Sequence, residues 1–383
     1  MKKNIKISPF YFIAFLYSLA NALFAFLGIK NNEMLIEFNL YTVEQNLMLV
    51  ALGLQFISIF ILVVFYSLFN KKLFKDSSDH GYNDFAGYVL LLYQLAFLLL
   101  ALVFGVGVVG QEKVNVNAII LIIFNILSDD SIFFIVGSQL KSNKIFRLNL
   151  ILYLVSTIIR GWMGGLLIAF LIYLCRRKYL FLHLSTLIYL SVFLTSILFS
   201  LPFLIELKFA IRENRNFEID FNDYFIRLEF ALDYLLGRFQ HVGHIYLIMK
   251  NAHYYYDLYQ LNIIRSFLLE GLPQDITYRR LGGLISQNFS NIVVRNEFGG
   301  DWNTNTGLVG WWIVLKESIV FFIAYWGGLI LTTYYLIYKY ATKQLFLVFS
   351  VFMLVYFYHG WLSAFFNLIF LIWILVILKK IRL

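Results

Sequence analysis

The chain is poor in cysteine, proline and charge. One Cys in 383 residues excludes a disulfide scaffold and any thiolate-rich metal site. Three prolines leave little room for disordered linkers. Charged residues make up 14% against 61% hydrophobic and 19% aromatic, too few to clothe a water-exposed globule. No Walker loop, dinucleotide fingerprint, HExxH or GxSxG occurs, so ATP hydrolysis and serine hydrolysis find no support.

What the chain does have is apolar length. A helix needs ~20 apolar residues to cross hydrocarbon, and such runs read as 9–29, 47–69, 86–109, 117–137, 180–204, 308–338, 345–358 and 361–378. A pair of shorter runs, 148–159 and 162–175, flanks Arg160-Gly161. The expected fold is an all-α polytopic integral membrane protein of about ten spans. Residues 1–205 hold spans one to seven, 206–307 form one large outer loop and 308–383 hold the last three. The basic start and Ala20-Asn21-Ala22 resemble a secretory signal, but the apolar run continues to Ile29, past the ~15-residue core of such signals. It reads as the first span.

Lys and Arg in short loops stay cytoplasmic. Lys2, Lys3 and Lys6, then Lys71, Lys72 and Lys75, then Lys141, Lys144 and Arg147 all fall on one side, together with Arg176, Arg177, Lys178, Lys339, Lys343, Lys379, Lys380 and Arg382. Both termini are therefore expected inside, in the cytoplasmic membrane. The outer loop from Glu206 to Thr306 carries ten Lys and Arg against twelve Asp and Glu. The formal net charge of +9 is thus topological, and nucleic acid is excluded as a partner.

Within that loop, Asn222 is placed to cap a helix over 223–236 that stops at Gly237, where glycine permits a left-handed turn. A second helix is expected to carry Arg238, His241 and His244 on one face. A third, over 253–269, bears Tyr254, Tyr255, Tyr256, Tyr259 and Arg265, and beyond Pro273 an irregular Gly- and Asn-rich stretch follows.

Arg160 stands between two runs too short to span alone, which places it in a recess. There it either holds an anion with its planar fork, pairs internally, or snorkels to the outer surface. His241 and His244 offer imidazoles one turn apart, suited to taking a proton from a hydroxyl, or serving only local hydrogen bonds; no third ligand stands at metal-site spacing. Asp129 and Asp130 lie in an apolar run and read either as an ion path or as a helix break near the inner face. Glu33, Glu37 and Glu44 form either a divalent-ion site or, more simply, a solvated acidic loop. The aromatics beside the loop, Tyr255 among them, read equally as an interfacial belt and as platforms for sugars.

Four features carry a resemblance to the Wzy-type polysaccharide repeat-unit polymerases, relatives of the O-antigen ligases. They are Ser156-Thr157-Ile158-Ile159-Arg160-Gly161-Trp162, the late outer loop with Leu236-Gly237-Arg238-Phe239, the re-entry run Asn303-Thr304-Asn305-Thr306-Gly307-Leu308-Val309-Gly310, and the final pair of spans. The match covers most of the chain in layout, through short motifs. It departs from the ligase branch at Asp301-Trp302-Asn303, where that branch has His-Asn. The resemblance implies a GT-C-like fold facing the periplasm or exterior. It also implies metal-independent glycosyl transfer, without cofactor, between undecaprenyl-diphosphate-linked oligosaccharides that serve as donor and acceptor, with a chain-length regulator as partner. By the same resemblance Arg160 and Arg238 hold the diphosphate, with Arg265, Arg279, Arg280, Asn303, Asn305 and Tyr255 binding substrate, and His241, His244 or Asp301 takes the acceptor proton.

Two opposing readings remain open. One is a transporter or flippase of lipid-linked sugars, for which interrupted helices in two repeated halves are expected, and no internal repeat is legible. The other is a metal-dependent glycosyltransferase that uses a polyprenyl-phosphate sugar, with the metal at Glu33, Glu37 or Glu44.

Overall fold

The computed structural model describes residues 5–36, 39–73, 81–108, 127–162, 164–177, 179–182, 184–213, 215–218, 222–264, 266–268 and 307–381. These residues are mostly helical. The helices Pro9–Asn31 (α1), Gln45–Leu73 (α2), Asp84–Phe104 (α3) and Leu362–Ile381 (α14) each contain a segment long and apolar enough to cross a membrane, as does Gly307–Tyr340 taken as a whole. The chain divides into two compact units.

The first unit comprises residues 1–10, 77–235 and 340–348. It holds α3, the short helix Asp129–Ile132 (α4) that continues as a π-helix over Phe133–Gly137, Asn143–Ile159 (α5), Gly164–Arg176 (α6), Leu184–Glu213 (α7) and most of Tyr224–Phe239 (α8). Strand Ile5–Ile7 (β1) pairs antiparallel with Leu180–Leu182 (β4), so the run expected to span from residue 180 opens as a strand and becomes helical at Leu184. Polar side chains define the helix starts: Asn83 Oδ1 accepts from Ala86 N–H at 3.1 Å, and Ser142 Oγ accepts from Ile145 N–H at 3.4 Å. Helices α3 and α5 run side by side in the same direction. Asn149 Nδ2 donates to Gly87 O at 3.2 Å near one end, and Phe97 meets Arg160 toward the other. Gly87 is what lets them approach, since a Cβ there would sit 2.3 Å from Ile145. Carbonyls at and just beyond the end of the π-helix go to Arg176, whose Nη1 donates to Gly137 O, Ser138 O and Leu140 O at 3.1, 3.2 and 2.8 Å.

The second unit comprises residues 11–76, 236–339 and 349–383. Here α1 and α2 are joined by a ribbon of Glu33–Ile36 (β2) and Asn39–Thr42 (β3). Val242–Lys250 (α9) packs on α2 and on Gly307–Leu315 (α11), and Ala252–Gln260 (α10) follows it. The run expected as one span from residue 308 is broken: α11 ends at Leu315, a 3-10 turn covers Lys316–Ser318 with Lys316 at φ 46°, and Ile319–Tyr340 (α12) resumes. The charged pair Lys316-Glu317 interrupts the apolar run there, and Lys316 Nζ settles over the Tyr256 ring at 3.6 Å.

The final helix pair shows a device that the sequence reading missed. Lys343–Phe352 (α13) continues as a π-helix, Met353–Tyr358, and turns at His359-Gly360-Trp361 into α14. The turn repeats the one at Arg160-Gly161-Trp162. Gly161 N–H and Trp162 N–H donate to Ile158 O and Thr157 O, both at 2.9 Å; Gly360 N–H and Trp361 N–H donate to Phe357 O and Tyr356 O at 3.0 and 2.8 Å. Both glycines are left-handed, at φ 66° and 79°, as this helix-ending motif requires. Each first helix starts on a hydroxyl cap, Ser142 in one case and Thr342 in the other, the latter accepting from Leu345 N–H at 3.2 Å. The same helix-ending turn therefore occurs twice among the described residues.

Candidate functional site

In the first unit the expected recess residue is internally paired. Arg160 is buried, with Nη2 3.0 Å from Asp130 Oδ1 and Nε 3.3 Å from Ser156 O. Its guanidinium carbon lies 5.1 Å from the Phe97 ring centre and 5.7 Å from that of Trp162. The snorkelling reading is excluded, since the side chain is enclosed rather than extended to the surface. Asp130 is the arginine's counter-ion, and with Asp129 it stands in the first turn of α4, which starts inside the apolar run expected over 117–137. Ser128 Oγ caps α4 by accepting from Ser131 N–H at 3.4 Å, which fixes the neighbouring Asp129 with its carboxylate fully buried. Both Asp129 oxygens lack a hydrogen-bond partner among the described residues, as do both amide atoms of buried Gln94 and the Ser156 hydroxyl. Buried polar groups left in this state are costly, and such clusters mark places where water, an ion or a ligand completes the network.

In the second unit, the candidate histidines join residues that the sequence reading never singled out. His241 Nε2 lies 2.8 Å from His359 Nδ1, and His359 Nε2 lies 2.6 Å from the Tyr17 hydroxyl. Asn21, two positions past the midpoint of the first expected span, organises the corner. Its Oδ1 accepts from His241 N–H at 2.8 Å and Val242 N–H at 2.9 Å, capping α9 from another helix. Its Nδ2 donates to Tyr17 O and to the Tyr358 hydroxyl at 2.7 and 3.0 Å. Gln240 Oε1 takes the next N–H, from Gly243, at 2.9 Å. Gly243 is required by space: a Cβ would meet Ile36 and Phe24 at 2.9 Å each. The re-entry run docks on the same corner, Gly307 N–H donating to His359 O at 3.1 Å with φ 68°. Gln55 is wholly buried beside Gly307, and its amide has no partner among the described residues. His244 is buried too, its ring centre 6.3 Å from that of His241.

Several expectations are corrected. Helix α8 does not stop at Gly237 but runs to Phe239, so Arg238 belongs to its last turn while His241 sits at the junction before α9. Arg238, His241 and His244 thus do not form one helical face. The helix expected over 253–269 is α10, ending at Gln260. Tyr255 is fully buried and its ring packs edge-on against Tyr254, so the open aromatic face there is Tyr254's. Arg265, Arg279, Arg280, Asp301, Asn303 and Asn305 lie outside the described residues, as does Glu37. Glu44 is exposed and pairs with Lys250 at 3.4 Å, and no group of three or more metal-ligating side chains occurs among the described residues.

A lone histidine before Gly-Trp at a helix end reads as interfacial, which is why His359 escaped notice; its likeness to Arg160-Gly161-Trp162 was the one available signal. No family model, curated protein or solved structure matches the chain.

Proposed function

We propose that this protein is a polysaccharide repeat-unit polymerase of the Wzy type with a GT-C-like arrangement of about ten spans. It moves a growing glycan from one undecaprenyl diphosphate carrier onto the next lipid-linked unit, on the outer side of the cytoplasmic membrane. The observation that carries this reading is the corner of the second unit, where His241, His359 and Tyr17 form a continuous buried hydrogen-bond chain beside an unpartnered amide and the start of the re-entry helix. A proton relay of neutral groups suits a transfer in which the diphosphate already departs well and the acceptor hydroxyl must lose one proton.

His241 or His244 serves the acceptor, with Asp301 as the remaining candidate. Arg160 and Arg238 orient the diphosphate, Arg160 from its place beside Asp130. The remaining contacts proposed to substrate are those of Arg265, Arg279, Arg280, Asn303 and Asn305. The test is reconstitution in liposomes with undecaprenyl-diphosphate-linked repeat units. Glycans should lengthen in the presence of a chelator; absence of lengthening overturns the reading, and loss only with chelator favours the metal-dependent transferase instead.

One observation favours a second reading. The unpartnered Asp129 beside the Arg160–Asp130 pair, together with interrupted hairpins in both units, fits an ion-coupled carrier or flippase of lipid-linked sugars. In the same liposomes that reading requires the lipid-linked sugar to change leaflet without any lengthening.

A further inference from the structure

We infer that the first unit holds an alkali-cation site, in which Asp129 on α4, Gln94 on α3 and Ser156 on α5 take one sodium or potassium ion beside the Arg160–Asp130 pair. The site goes beyond the polymerase reading, and its binding depends on neither reading of function. Contacts between the three helices bring the groups together. Helices α3 and α5 meet where Asn149 Nδ2 donates to Gly87 O at 3.2 Å, and Gln94 and Ser156 each stand two helical turns further on. The Tyr93 hydroxyl, next to Gln94, donates to Leu127 O, two positions before Asp129, which ties α3 to the start of α4. The Phe133 and Tyr153 rings stack with centres 4.7 Å apart, and one turn from them toward Arg160 come Asp129 and Ser156.

All three side chains belong to residues 0% exposed. Both carboxylate oxygens of Asp129, both amide atoms of Gln94 and the Ser156 hydroxyl have no hydrogen-bond partner among the described residues. A helical serine commonly bonds back to a carbonyl one turn earlier, as Ser196 and Ser200 do at 2.9 and 2.7 Å; Ser156 does not.

Charge selects the occupant. Asp129 and Asp130 bring two negative charges against the single positive charge of Arg160, so the enclosed cluster lacks one positive charge. Water alone would satisfy the polar atoms without supplying it. A proton on Asp129 would supply it, but neither carboxylate oxygen has an acceptor within reach among the described residues, and Gln94 and Ser156 would stay unmade. A divalent ion would bring one charge too many. An alkali ion brings one charge and takes oxygen ligands, here the Asp129 carboxylate, Gln94 Oε1 and Ser156 Oγ, while water carried with it accepts from Gln94 Nε2. With the ion in place the Arg160 guanidinium is left to Asp130; without it two carboxylates compete for one arginine.

The test is thermal unfolding of the full-length protein in detergent at neutral pH, with sodium or potassium chloride replaced stepwise by choline chloride at constant ionic strength. An alkali ion should raise the unfolding temperature with a saturable dependence that choline does not reproduce, and the ion that saturates at lower concentration is the occupant. Asp129→Asn keeps the shape and removes the charge, and should weaken the apparent affinity about tenfold to a hundredfold; Gln94→Leu should weaken it about threefold to tenfold. Unfolding that ignores both ions overturns the inference, and so does an alkali effect that survives unchanged in both variants. An unfolding temperature that rises as pH falls, with no alkali effect, assigns the charge to a proton and overturns it as well. No lipid-linked sugar is present in this experiment, so its failure leaves glycan lengthening to be scored separately.

Discussion

Two hairpins built on one backbone plan differ in the residue that ends their first helix. At 160 it is an arginine, enclosed and held by a carboxylate; at 359 it is a histidine, enclosed and held between another histidine and a phenol. The shared part is the pair of helix-ending hydrogen bonds and a left-handed glycine followed by tryptophan. What the difference teaches is that the turn is a mount. It sets a side chain at a recessed helix end, and the chemistry depends on what the neighbouring helices bring: Asp130 and Phe97 in one unit, Tyr17 and His241 in the other.

The comparison breaks most sharply through charge. Asp130→Ala leaves an enclosed guanidinium without its counter-ion, and losing one partner of a buried pair costs about 3 to 5 kcal/mol. His359→Ala removes only neutral hydrogen bonds, each worth about 1 to 3 kcal/mol when a partner is left buried. Thermal unfolding in detergent should therefore drop further for Asp130→Ala. Equal drops would mean that the arginine's charge is satisfied elsewhere. Arg160→Lys is milder for stability but removes the planar fork, and should abolish chain extension with insertion intact; unchanged glycan length removes Arg160 from the site.

The backbone half of the comparison predicts the opposite pattern. Gly161→Ala and Gly360→Ala each force a residue with a Cβ into left-handed space, at about 1 to 2 kcal/mol. Unfolding measurements should give closely similar losses for the two, and a loss at only one of them would show that the turns are not equivalent.

How far the sequence foretold this depends on range. Five long apolar helices were legible because lipid demands apolar length, and the break at Arg160 because a cation between two short runs has few places to go. The partners were not. Asp130 and Arg160 attract across intervening helices, and Asn21 caps α9 from far along the chain, a contact that no local pattern announces. Gly237 misled because a half-buried glycine is compatible with a helix when neighbours favour it; nothing lies within 4 Å of its missing Cβ, and helix α8 passes through. The second hairpin escaped because only Gly-Trp is shared in letters, while the likeness lies in hydrogen bonds.

The smallest expected effect lies outside both hairpins and serves as their control. At the end of α7, Glu206 accepts from Arg215 Nη1 and lies 3.4 Å from Arg227 Nη1. The hydrogen bond from Arg215 holds the Glu206 carboxyl below its ordinary range. A carboxylate whose folded value is depressed contributes stability above the unfolded value and loses it as pH falls through the folded one. Stability from this pair should thus be intact near neutral pH and fade below about pH 4. Because Arg215 is two-fifths exposed, the pair is worth only ~0.2 to 1 kcal/mol. Glu206→Gln should lower the unfolding temperature slightly at pH 7, and the difference should shrink as the pH falls through the acid range. A loss as large as that of Asp130→Ala would show that enclosure by neighbouring helices is not what separates the two ion pairs.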